Sequence, residues 1–192
     1  MNDFISVEHI SKCYGQKQVL HDLSFWIPYG RVTAITAPSG AGKTTLLRIL
    51  LGLETADSGS FTELEHLKKS AVFQEDRLCE NLTALANVQL VAANKERATL
   101  LHAMEQLQLF DCADKPVREL SGGMKRRIAI LRALSAEYDL LILDEPFRGL
   151  DDATKTIVME YTKEKCKGKT VLFVTHDKTE LSAMNAVQKI SL

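Results

Sequence analysis

The run Ala37-Pro38-Ser39-Gly40-Ala41-Gly42-Lys43-Thr44-Thr45 constrains the fold of this chain more than any other stretch. Before it, Arg31-Val32-Thr33-Ala34-Ile35-Thr36 reads as a strand; after it, Leu46, Ile49, Leu50 and Leu53 recur at helical spacing, and Gly52 offers a helix stop. A strand that passes through a glycine-bearing loop directly into a helix points backbone N–H groups and the positive end of the helix dipole at one place, which suits an anion. Lys43 can reach the β and γ phosphates of a nucleoside triphosphate held there, and the Thr44 hydroxyl can ligate Mg²⁺. Pro38, Ser39, Gly40, Ala41, Gly42, Lys43, Thr44 and Thr45 are therefore the candidate nucleotide contacts. The usual pattern begins with Gly where this chain has Ala37, so Ala37 is expected at negative φ.

Composition removes several alternatives. With 24 Lys and Arg against 25 Asp and Glu the formal net charge is −1, so no global basic field favours nucleic acid, and no nucleic-acid partner is expected. Cys13, Cys79, Cys112 and Cys166 are scattered without a C-x-x-C pair, which speaks against a zinc site or a disulfide framework and suits a reducing cytosol. No window approaches the roughly 20 apolar residues that cross a bilayer, and the N-terminus lacks a basic segment followed by an apolar one.

The length fits one domain over residues 1–192. Early segments alternate in the β manner, with Ile5 and Val7 on one strand and Leu23, Phe25 and Ile27 on another that Pro28-Tyr29-Gly30 closes. Between about residues 78 and 134 the pattern becomes helical: Leu82-Leu85-Val88, Leu100-Met104-Leu107, Ile128-Leu131. Two uninterrupted apolar runs follow, Leu140 to Leu143 and Val171 to Val174, as expected of strands buried on both faces of a parallel sheet. The expected fold is α/β, with a core of about 1–77 and 135–192, a mainly parallel sheet, an N-terminal antiparallel β segment and an inserted helical subdomain over about 78–134.

The apolar run at 140–143 ends in Asp144-Glu145-Pro146, and an open α/β sheet binds its ligand at the carboxyl ends of its strands. Asp144 is placed to hold the Mg²⁺ shell, and Glu145 to accept a proton from water attacking the γ phosphate. Upstream, Leu120-Ser121-Gly122-Gly123 precedes a helix whose inner face is Met124, Ile128 and Leu131. Ser121 can cap that helix, and Gly122 and Gly123 let an anion approach its amides. One triphosphate does not need two such sites in one chain, so this segment is read as completing a nucleotide held by a neighbouring copy.

Taken together and in order, these stations resemble the ATP-binding subunit of ABC transporters: the loop Ala37 to Thr44, Gln74 after Val72-Phe73, Leu120-Ser121-Gly122-Gly123, Leu140 to Glu145, Leu150-Asp151, and His176 after Val174-Thr175. The resemblance covers nearly the whole chain and implies a P-loop NTPase core. It implies that Gln74 senses Mg²⁺ and water, that His176 contacts the γ phosphate, that Asp151 lies on a loop crossing between subunits, and that Tyr14 stacks on adenine. Lys43, Glu145 and His176 are then the catalytic candidates, Thr44, Gln74 and Asp144 the Mg²⁺ candidates, and ATP with Mg²⁺ the cofactors. Expected partners are membrane permease subunits, a second ATP-binding subunit, an identical copy as the first reading with a paralogue as the alternative, and a solute-binding protein where the system uses one. The expected location is peripheral, on the cytoplasmic face of the cell membrane. The segment Val72 to Leu78 followed by Leu82 to Val88 is most similar to subunits of importers for nitrate, sulfonate and taurine. A soluble ATPase of the same family acting on nucleic acid or ribosomes is the alternative, disfavoured by the absence of long coiled-coil patterns and basic tracts. A non-hydrolysing nucleotide-binding module is disfavoured by the presence of both Glu145 and His176.

Overall fold

A computed structural model describes residues 3–38 and 40–192 of the chain. The chain opens with two long strands, β1 (Phe4–Tyr14) and β2 (Lys17–Pro28), then β3 (Val32–Thr36), helix α1 (Lys43–Leu50), and strands β4 (Ser58–Phe61) and β5 (Lys69–Val72). Helices α2 (Ala84–Gln89), α3 (Arg97–Gln106) and α4 (Gly122–Ser135) follow, and the chain ends with β6 (Leu140–Asp144), α5 (Asp152–Lys165), β7 (Thr170–Val174), α6 (Lys178–Ala183) and β8 (Gln188–Ser191). Strands β2, β1 and β4 form an antiparallel sheet in that order, and a second sheet runs β5-β6-β7-β3-β8 with every pairing parallel.

The parallel sheet sits between two apolar layers because β6 and β7 carry uninterrupted apolar runs, Leu140 to Leu143 and Val171 to Val174. Along β6, Leu140 and Ile142 pack with β1, β2 and α1, while Leu141 and Leu143 pack with α2, α3 and α4. Along β7, Leu172 and Val174 join the first layer and Val171 and Phe173 the second. All eight of these side chains are buried, so each strand is fixed from both sides.

Simple alternation holds in β1 only as far as Val7. His9 takes a positive φ of 55° and Asp22 of β2 one of 46°, and the ladder slips register there. The bulge moves the buried set from Ile5 and Val7 to Ile10 and Lys12. The α1 stripe also ends sooner than its spacing suggests: Leu51 caps the helix, Gly52 turns the chain at φ 73°, and Leu53 lies beyond it, 57% exposed. Likewise Leu82 precedes α2, whose cap is Thr83, accepting from the Ala86 N–H at 3.1 Å.

Parallel pairing has one consequence for function. It brings the carboxyl ends of β3, β5, β6 and β7 to one edge, and the segments leaving that edge are the loop before α1, the turn holding Gln74, Asp144-Glu145, and Thr175-His176.

Candidate active site

In the loop before α1 the Ala41 N–H donates to the Pro38 carbonyl at 3.3 Å, and two glycines set the backbone. Gly42 caps the helix in a left-handed conformation, φ 85°, with no side-chain hydrogen bond to the cap, and Gly40 is also left-handed at φ 83°. Gly42 has a second reason to be glycine: a Cβ there would lie 2.7 Å from both the Leu20 Cδ2 and the Val19 carbonyl oxygen. Ala37 is not among the residues of positive φ, as expected of an alanine at the start of the loop. Ser39 lies outside the described residues. Lys43 folds back along the loop, its Nζ donating to the carbonyl oxygens of Ala37 at 2.8 Å and Pro38 at 2.9 Å.

Gly40, Gly42, Lys43, Thr44 and Thr45 line a cleft of about 430 Å³, and Gln74 and Glu145 form its far side. Lys17, Val19 and Arg148 complete the wall, and none of the three was singled out from the sequence. Three cations, Lys17, Lys43 and Arg148, thus face the cleft against one carboxylate, Glu145, which suits a polyanionic ligand. Pro38 borders a neighbouring hollow with His176. Tyr14 stands at the tip of the β1–β2 hairpin, 45% exposed, with Lys12 Nζ 5.5 Å from its ring centre; it is not part of the cleft wall.

Asp144 ends β6 and is buried. Burial pushes its carboxyl above the usual range, as does the charge of Glu145, while Arg126 and Lys43 pull it back. A carboxylate in that position gains from a cation beside it. Among the described residues no group of three His, Cys, Asp or Glu forms a metal cluster, so a divalent ion here would draw on Thr44, Gln74 and Asp144 together with phosphate oxygens, a donor set that fits Mg²⁺.

Glu145 adopts φ 44°, rare for a residue with a side chain, and its N–H donates to the Val174 carbonyl at 2.9 Å. Backbone strain of this kind persists only where surrounding structure imposes it. Its Oε1 lies 3.4 Å from His176 Nδ1 and its Oε2 3.3 Å from an Arg148 guanidinium nitrogen. The structure therefore brings Glu145 and His176 together, with His176 open to solvent and Glu145 largely enclosed.

The surrounding structure that imposes this is mostly Arg126, a buried side chain that sequence patterning missed. Its Nε donates to the Pro146 carbonyl at 2.7 Å, and one terminal nitrogen donates to the carbonyls of Asp144 at 3.0 Å and Glu145 at 2.6 Å. The other donates to the Phe73 carbonyl at 2.5 Å and to Asp76 Oδ1 at 3.2 Å. One guanidinium on α4 thus holds both the Gln74 turn and the Glu145 turn. Lys155 does similar work on the other side: its Nζ contacts Asp177 at 2.7 Å and Glu180 at 2.6 Å, anchoring α5 to the segment after His176.

Ser121 caps α4, its Oγ accepting from the Met124 N–H at 3.3 Å. Gly122 and Gly123 line a separate hollow of about 310 Å³ that shares Gln74 and Arg148 with the first cleft but holds none of the loop before α1. A Cβ on Gly122 would meet nothing within 4 Å, and one on Gly123 only Leu150 Cδ2 at 3.8 Å. Packing within this chain therefore does not require glycine at either position, in contrast to Gly42. Asp151 caps α5, accepting from the Thr154 N–H at 3.0 Å, and these backbone bonds hold its carboxyl below the usual range.

The sequence profile of the ABC transporter family matches residues 20–148. The chain belongs to this family. Its sequence is 38% identical over 198 residues to the sulfate/thiosulfate import ATP-binding protein CysA of Escherichia coli K12, covering 92% of this chain and 54% of that protein. The CysA of Yersinia pseudotuberculosis is 36% identical over 210 residues, covering 97% of this chain and 56% of that protein. The chain thus spans about half the length of the curated relatives it matches. In three dimensions this ABC family member superposes on a dimeric, post-hydrolysis ATP-binding cassette bound to ADP and Pi with a TM-score of 0.85 at 29% identity, over 98% of this chain and 94% of that one. A bacterial Atm1-family ABC exporter with ATP bound shares the fold at a TM-score of 0.87 and 23% identity, over 99% of this chain and 37% of the exporter. The α/β fold with its phosphate loop is that of an ATP-binding cassette. No helix among the described residues is long and apolar enough to cross a membrane.

Proposed function

We propose that this chain binds and hydrolyses MgATP and that the energy drives a membrane permease. The observation that carries the reading is the convergence at one sheet edge of the phosphate loop, Gln74, the Asp144-Glu145 pair and His176, delivered by the carboxyl ends of β3, β5, β6 and β7 in turn. Loop amides, Lys43 and Thr44 hold the β and γ phosphates; Tyr14, at the hairpin beside the cleft, is the candidate for the adenine. Thr44, Gln74 and Asp144 would hold Mg²⁺, whose charge would offset the negative charge developing on the phosphate. Glu145 accepts the proton of the attacking water and His176 steadies the γ phosphate, so most of the acceleration comes from positioning and charge.

A second copy of the chain supplies its Ser121-Gly122-Gly123 across a head-to-tail interface, with Asp151 on the crossing loop. The open, unpacked face of those two glycines supports this arrangement. The permease partners, the peripheral position on the cytoplasmic membrane face and the solute-binding protein follow from the same reading. The relatives' names point to sulfate and thiosulfate import, and the segment around Gln74 resembles importers of nitrate, sulfonate and taurine. Import of a small oxoanion is common to both, and solute choice rests with the partners.

Glu145→Gln tests the reading. The amide keeps the shape but cannot take the proton, so MgATP binding should persist, phosphate release should fall by about 10²–10⁴-fold, and gel filtration with MgATP should show double mass. Hydrolysis near the wild-type rate would remove Glu145 from the role of base.

A further inference from the structure

Arg148 occupies a position that the proposed roles leave unused. It lines the phosphate-loop cleft, the hollow beside Gly122 and Gly123, and the hollow around His176, so it stands where all three meet. Its guanidinium lies 3.3 Å from Glu145 Oε2, a contact made within one turn, where the Arg148 N–H also donates to the Glu145 carbonyl at 3.2 Å. The two partners differ in freedom: the Arg148 side chain is 62% exposed and that of Glu145 16%. The arginine can leave, and the carboxylate cannot follow it.

An ion pair with one partner open to water is weakened, since water screens it and holding a long side chain costs entropy. A terminal phosphate in the adjoining cleft is a stronger partner, because its oxygens match the guanidinium fork with two charge-assisted hydrogen bonds. Glu145 also has both oxygens engaged, one by Arg148 and one facing His176, and a base must turn a free oxygen to its water. We infer that Arg148 is a further ligand for the terminal phosphate of a bound nucleoside triphosphate, exchanging from Glu145 Oε2 to the γ-phosphoryl oxygens as the nucleotide enters. One movement then adds a cation to the phosphate and releases the base. The inference rests on the proposed MgATP site and deepens it by naming a residue that helps distinguish a triphosphate from shorter nucleotides.

The test is the affinity of the full chain, with Mg²⁺, for a non-hydrolysable β,γ-imido ATP analogue, ADP and AMP, in wild type, Arg148→Ala and Arg148→Lys. Arg148→Ala should weaken the triphosphate about tenfold and leave ADP and AMP within about twofold, as expected for one partly exposed charge-assisted contact to the γ phosphate. Arg148→Lys should recover part of the loss, because it restores the charge without the fork. Equal losses for all three nucleotides, or none for the triphosphate, would overturn the inference; matching urea midpoints for the two variants exclude misfolding as the source of a selective loss. Failure of the wild type to bind the triphosphate would instead strike the MgATP reading itself, and this inference with it.

Discussion

Arg126 offers the most direct test of what holds the site together. The side chain is only 5% exposed and donates to the carbonyl oxygens of Phe73, Asp144, Glu145 and Pro146 and to Asp76. In Arg126→Leu the methylenes still pack, but those carbonyls lose a charged donor while remaining inside the protein. Each hydrogen bond to a charged group contributes about 1.5–3 kcal/mol net, and leaving a buried polar group unpaired costs about 1–3 kcal/mol. These figures overlap and do not add, so the measured cost of truncating one member of a buried charged network, about 3–5 kcal/mol, is the better guide. That is a large share of the roughly 5–15 kcal/mol that holds a domain folded. With a urea m-value of about 2–3 kcal/mol/M, the midpoint should fall by about 1–2.5 M. Urea titration followed by circular dichroism reads this directly. Arg126→Lys should recover only part, because an ammonium cannot span Phe73 on one side and Glu145 on the other. A midpoint within about 0.3 M of wild type for Arg126→Leu, with the m-value unchanged, would refute the idea that this guanidinium organises the two turns.

Gly42→Ala should abolish nucleotide binding and lower the melting temperature, since its φ is 85° and a Cβ would press on Val19 and Leu20; Ala37→Gly, at an ordinary φ, should change ATP affinity by less than about threefold in isothermal titration. The Asp177 carboxyl is held far below its usual range by the Lys155 hydrogen bond and then by Thr179, so its ionised form stabilises the fold above an unfolded-state pKa near about 3.9 and that contribution is lost as pH falls below it. The stability gap between wild type and Asp177→Asn should therefore be constant from pH 8 to about 5 and shrink below about pH 4, and a gap that widened on acidification would contradict the pairing. Mixing Lys43→Ala with Ser121→Arg chains should give dimers with one intact site that binds MgATP; loss of ATP binding by isolated Ser121→Arg monomers would place Ser121 in its own chain's pocket instead.

Much of the site was legible because its signals are local. The apolar run 140–143 is read as a strand buried on both faces, and Asp144-Glu145 must then emerge at its carboxyl end. The strand before the phosphate loop and the helix after it are equally local, and the structure gives β3 and α1 there. Errors arise where a single backbone residue resets the pattern. Leu53 has helical spacing from Leu46, but Gly52 has already turned the chain; His9 and Asp22 shift the buried face of the hairpin through a bulge that no alternation pattern contains. The resemblance assigns Asp151 to a crossing loop and says nothing of its capping of α5 through Thr154, although Asp before a helix is the ordinary sign of a cap.

Arg126 and Arg148 were missed for another reason: what defines each is which neighbours it meets, and that depends on tertiary structure. Arg148 is one exposed charge in a turn, and only the placement of that turn at the sheet edge puts it between Glu145 and the phosphate loop. Arg126 is one of three consecutive basic residues on α4, indistinguishable in the sequence from Lys125 and Arg127, yet Lys125 pairs with Glu80 at the surface while Arg126 turns inward to Phe73 and Glu145. A hydrophobic period cannot mark a position buried through its hydrogen bonds. The same placement has a mechanical consequence. Because α4 begins at the Ser121 cap and carries Arg126 little more than one turn later, force on the Ser121-Gly122-Gly123 segment has a route to the Gln74 and Glu145 turns through this buried guanidinium, beside the Arg132 bonds to the Asp76 and Arg77 carbonyls. In a head-to-tail dimer these groups would attend different nucleotides, so Arg126 would be one physical connection between the two sites within one chain.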